Sequence, residues 1–102
     1  MKFDYREVLP DEYFECTVKV SGAPVTLHLT PPTVLATDRL LSLDSAENKT
    51  RAMREIAAEL IGSNEEEKDV GEKAVNAMTT KQLHTFIYAY TGWLGSTKKE
   101  KN

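Results

Sequence analysis

From Tyr13 to Val20 apolar and polar side chains alternate: Phe14, Cys16, Val18 and Val20 fall on one side, Glu15, Thr17 and Lys19 on the other. A repeat of two marks a half-buried strand. Ser21-Gly22-Ala23-Pro24 supplies turn chemistry, since Gly accepts positive φ and Pro presets its own. Alternation then resumes with Val25, Leu27 and Leu29 against Thr26, His28 and Thr30, which predicts a β-hairpin. A lone hairpin is marginal in water, so its apolar face must pack on the remainder of the chain.

Beyond the hairpin the pattern turns helical. Thr30-Pro31-Pro32 closes the second strand and opens a short helix from about Pro31 to Leu41, because Pro in the first turn forfeits no internal hydrogen bond and Thr30 can cap it. That helix presents Val34, Leu35 and Leu41. Asp44 or Ser45 caps the next one, which carries Ala52, Met53, Ile56, Ala57, Leu60 and Ile61 on one stripe and stops at Gly62 in the usual left-handed position.

Asn64 and Glu67 have the spacing of a capping box and open a weaker helix through Ala74, Val75 and Met78, with Gly71 counting against it by about 1 kcal/mol relative to Ala. Whether 64–78 is helix or loop stays open. Thr79 and Gln82 form a better capping box, and Leu83, Phe86, Ile87, Tyr90 and Leu94 then recur at helical spacing up to Gly95. The expected fold is α+β, an N-terminal β-hairpin packed on a mainly helical body of three to four helices. Residues 1–95 form a single globular domain, with 1–12 as a flexible arm, and 96–102 form a disordered tail without an apolar anchor.

Composition narrows the class of function. With 102 residues, 40% hydrophobic and 28% charged, the chain suits one packed core. No apolar run approaches the roughly 20 residues of a membrane span, and Met1-Lys2-Phe3-Asp4-Tyr5-Arg6-Glu7 lacks the apolar core of a signal peptide. The lone Cys16 cannot form an internal disulfide, which favours a reducing cytosol. Acidic residues gather in 1–15 and in 63–73, each with a net charge near −3, and only the tail with Lys98, Lys99 and Lys101 is basic. Nucleic-acid binding needs several cations on one face, so neither DNA nor RNA is an expected partner.

No set of polar residues converges into catalytic machinery. Cys16 lies on the apolar face of the first strand, where it acts as a small hydrophobe, while His28 lies on the opposite face and His84 on a distant helix. These three cannot supply the ligands of a zinc site. Glu65-Glu66-Glu67 and Asp69 lack the ligand spacing of a calcium loop and read as a solvated acidic face or a docking site for a basic partner. Gly22, Gly62, Gly71, Gly92 and Gly95 are scattered and make no phosphate cradle. The sequence therefore predicts neither an enzyme nor a cofactor or metal site. Tyr88 and Trp93 stand off the main stripe of the last helix, where exposed aromatics serve interfaces and where a small core can equally wrap them.

The order of hairpin, proline-marked helix entry and acidic middle, closed by Val75-Asn76-Ala77-Met78-Thr79-Thr80-Lys81-Gln82-Leu83-His84-Thr85-Phe86-Ile87-Tyr88-Ala89-Tyr90, resembles the tail assembly chaperones of long-tailed bacteriophages over residues 13 to 95. The resemblance implies a non-enzymatic protein of the host cytoplasm, absent from the mature virion. Such a protein binds the tape measure protein and helps recruit tail tube subunits. It also implies self-association and a longer product made by frameshifting, to which Lys98-Lys99 would be suited. The partner-binding residues expected on this reading are Phe86, Tyr88, Tyr90, Trp93 and Leu94. Two other readings stand beside it: a virion component such as a head-tail connector or tail accessory protein, and a small regulatory or antitoxin-like protein.

Overall fold

The computed structural model describes residues 13–100. The flexible arm expected over 1–12 lies outside the described residues. Strands β1 (Phe14–Val20) and β2 (Ala23–Leu29) form an antiparallel hairpin, followed by α1 (Val34–Leu41), a 3-10 turn at Leu43–Ser45, α2 (Lys49–Gly62), α3 (Gly71–Asn76) and α4 (Thr80–Glu100). This is the α+β arrangement expected, with a hairpin on a helical body.

The hairpin turns on two residues, narrower than the expected four. Ser21 (φ 52°) and Gly22 (φ 85°) both take positive φ, the turn whose twist suits antiparallel strands, and Val20 pairs with Ala23 directly across it. Pro24 is consequently inside β2, opposite Lys19. Cys16, Val18, Leu27 and Leu29 are buried, and Phe14, Val20 and Val25 pack against the same core.

Helix α1 begins later than expected. Thr33 is its cap, its Oγ accepting from the Ala36 N–H at 3.1 Å, and Pro31 and Pro32 stay outside. Thr30 instead hydrogen-bonds the hydroxyl of Ser63 at 2.7 Å. Val34, Leu35 and Leu41, the residues this helix is expected to present, are not the ones it buries. Ala36 and Leu40, four apart, are buried, while Val34, Leu35 and Leu41 are exposed, because a two-turn helix covers only one stripe.

In α2 the cap is Asn48, not Asp44 or Ser45: its side chain accepts from the Arg51 N–H at 3.0 Å. Asp44 instead pairs with Lys49 at 2.8 Å. The expected stripe of Met53, Ile56, Ala57, Leu60 and Ile61 is buried, and Arg39 of α1 pairs with Glu59 of α2. Gly62 is the last helical residue and does not take positive φ, so the left-handed stop expected there is not used.

No helix starts at Asn64. Its Oδ1 accepts from the N–H groups of Glu66 (2.8 Å) and Glu67 (2.6 Å), as an N-cap would, but its amide donates to the Ile61 and Glu67 carbonyls and closes a tight loop. The loop lies along β2, where Thr30 N–H donates to Ser63 (2.8 Å) and Glu65 N–H donates to His28 (3.2 Å). Only at Gly71 does the short α3 begin, burying Ala74 and Val75.

The Thr79–Gln82 capping box of α4 is present in both directions, at 2.9 and 3.1 Å. Leu83, Phe86, Ile87 and Tyr90 are buried. The helix continues through Gly92 and Gly95 to Glu100, past the stop expected at Gly95, since an exposed helical glycine weakens a helix without ending it; the end of the tail expected over 96–102 lies outside the described residues.

Candidate functional site

The five residues expected to meet a partner occupy very different settings. Tyr90 is wholly buried and its hydroxyl has no hydrogen-bond partner; burial holds its ionisation well above the usual phenolic range. Phe86 is buried beside it, with ring centroids 5.9 Å apart. Trp93 is half-buried, packing edge-on to Tyr90 at 5.4 Å and to Phe14 at 5.7 Å, and Leu94 packs against the same core. The three aromatic rings tie α4 to Phe14 at the start of β1. Tyr88 alone projects, 77% exposed.

The structure also leaves exposed the three apolar residues that the hydrophobic pattern marked on the first helix. Val34 (88% exposed), Leu35 (68%) and Leu41 (65%) stand on the outer side of α1. Among the described residues they are three of the five large hydrophobic side chains that are exposed, all on one eight-residue helix. Scattered single apolar residues are ordinary on a surface, whereas three on one short helix make it a candidate interaction face. The one available signal was the competing i, i+4 pair Ala36 and Leu40, overlooked because alanine weighs little in an apolar pattern.

A second surface is polar. His28 stands opposite Glu15 in the hairpin, and its Nδ1 lies 2.5 Å from a Glu66 oxygen while Nε2 lies 3.4 Å from Glu15. The other Glu66 oxygen accepts from the His28 backbone N–H at 2.9 Å. Hydrogen bonding to Glu66 and the nearby negative charges hold the His28 imidazole above its ordinary range, and the same bonds hold the Glu66 carboxyl below its own. Tyr13 donates to Glu65 at 3.3 Å beside them. The acidic run is thus partly a clasp on β2, more than a solvated face.

Cys16 is buried on the face of the hairpin opposite His28, and desolvation pushes its thiol up to about 11. His84 is exposed on α4. Among the described residues no group of three His, Cys, Asp or Glu side chains is placed to hold a metal ion, and no helix is long and apolar enough to cross a membrane. What the arrangement offers chemically is contact area and hydrogen-bonding edges. No protein-family model, curated protein or solved structure matches this chain.

Proposed function

We propose that the protein is a non-enzymatic assembly chaperone of a long-tailed bacteriophage, which binds the helical tape measure protein and helps recruit tail tube subunits around it. The observation that carries this reading is the set of exposed apolar side chains on α1, Val34, Leu35 and Leu41. An amphipathic client helix is held by laying its apolar side on exposed apolar side chains, and Val34 and Leu41 stand on one side of α1, about two turns apart. A long client is covered by many weak contacts acting together. The buried aromatic cluster of α4 then serves the fold, and Tyr88 is the member of the originally expected set that is available to a partner.

Co-expression with the tape measure protein of the same gene cluster tests the proposal. The wild type keeps the client in the soluble fraction, and a Val34→Ser, Leu35→Ser, Leu41→Ser variant loses that effect while its own circular dichroism is unchanged. A variant that protects the client as well as the wild type removes α1 as the binding face. Detection of the protein in purified particles favours a virion component.

A further inference from the structure

The two edges of the hairpin are treated differently. Along β2, the 63–65 segment supplies hydrogen bonds, Glu66 accepts from the His28 N–H, and Pro24 has no N–H to offer. Along β1 nothing comparable is present among the described residues.

The orientation of the β1 backbone follows from its register. His28 turns its N–H toward Glu66 and its carbonyl toward Glu65, away from the hairpin partner, so Glu15 and His28 form a non-hydrogen-bonded pair. By the period of two the same holds for Thr17 with Thr26 and Lys19 with Pro24. The Thr17 and Thr26 hydroxyls, 2.9 Å apart, agree with the closer side chains of such a pair. Glu15, Thr17 and Lys19 therefore direct their N–H and C=O groups to the open edge. A groove of about 910 Å³ runs along it, walled by Met78, Gln82, Thr85, Phe86 and Ala89.

We propose that this edge pairs with the same edge of a second copy of the chain, antiparallel about a two-fold axis through Thr17. In that register Glu15 stands opposite the Lys19 of the other copy, and Thr17 stands opposite itself. All three are outward-facing positions, so the backbone groups match as well as the charges. Cys16 falls opposite Val18 and Phe14 opposite Val20, which extends the apolar face into a four-stranded sheet. Moving the register by two residues in either direction abolishes both ion pairs. The strand is thus self-complementary, as an isologous interface requires. Among the described residues the edge also lacks the proline, bulge or cover that commonly protects an open strand. The inference stands without the chaperone reading.

Sedimentation equilibrium with charge-swapped variants tests it. The wild type forms a dimer; Glu15→Lys and Lys19→Glu each weaken it by about tenfold or more, and the double swap returns it to within about threefold of the wild type. Circular dichroism checks that each variant folds. Independently, Thr17→Cys in a Cys16→Ser background forms an intermolecular disulfide on mild oxidation. Directly paired residues of this kind sit about 5.5 Å apart between Cα atoms, within disulfide reach. Val34→Cys in the same background serves as the control for random collision. A monomer at millimolar concentration overturns the proposal. So does a dimer indifferent to the single swaps, or one in which Thr17→Cys cross-links no faster than Val34→Cys.

Discussion

Gly71, at the start of α3, meets Ala58 of α2 so closely that a Cβ on the glycine would stand 2.0 Å from the Ala58 carbonyl oxygen and 3.1 Å from the Gly62 nitrogen. Both neighbours are backbone and neither can swing aside. Gly71→Ala is therefore expected to destabilise the protein by about 1–3 kcal/mol through overpacking, read as a lower urea midpoint. Gly92→Ala is the matched control, because nothing lies within 4 Å of its position in α4. It should stabilise by about 0.5–1 kcal/mol through helix propensity.

This contact shows where the sequence was legible and where it was not. The hairpin face, the α2 stripe and the Thr79–Gln82 cap follow from local periodicity and cap chemistry, which act within a few residues and leave a local trace. Gly71 looked like a helix-weakening residue because its role depends on Ala58, which no pattern around position 71 encodes. Asn64 was half legible: the capping spacing was real, but the Ile61 and Glu67 carbonyls bent the chain into a loop. The site suffered most. One amphipathic stripe is the same signal whether it meets a core or a partner, so periodicity could not tell that Val34, Leu35 and Leu41 turn out while Tyr90 turns in.

Tyr90 carries a buried hydroxyl without a partner. An unsatisfied polar group in a core costs free energy that its removal recovers. Tyr90→Phe keeps the ring against Phe14, Phe86 and Trp93 and is expected to raise stability by about 1 kcal/mol, measured by thermal or urea denaturation.

Asn64 uses its amide as two donors and its oxygen as acceptor of two N–H groups, and it is only 9% exposed. Asn64→Asp exchanges the donor for an acceptor facing the Ile61 and Glu67 carbonyls. The expected loss is about 2–3 kcal/mol, larger than for a surface substitution. Amide exchange across 63–67 should accelerate more than in α4.

The clasp between His28 and Glu66 is pH-dependent in both directions. The folded state raises His28 above its ordinary 6.5, so its contribution is complete below that value and is lost as pH rises through the raised one. Glu66 is lowered below its ordinary 4.5, so its contribution is complete above that value and is lost as pH falls through the lowered one. The clasp is strongest between the two ordinary values. Raising the pH from about 6 to about 8 should lower wild-type stability relative to His28→Gln, by a modest amount because both side chains remain well exposed to solvent. Parallel urea titrations of the two proteins check it.

The central claim is that the exposed apolar side chains of α1 hold a helical client. Its most direct test is the affinity of the wild type and of the Val34→Ser, Leu35→Ser, Leu41→Ser variant for tape measure segments, measured by calorimetry with unfolding midpoints recorded alongside. The account predicts that binding falls by at least about tenfold while the midpoint holds or rises, since the three side chains are exposed and stabilise little. Unchanged binding with a lowered midpoint would contradict it.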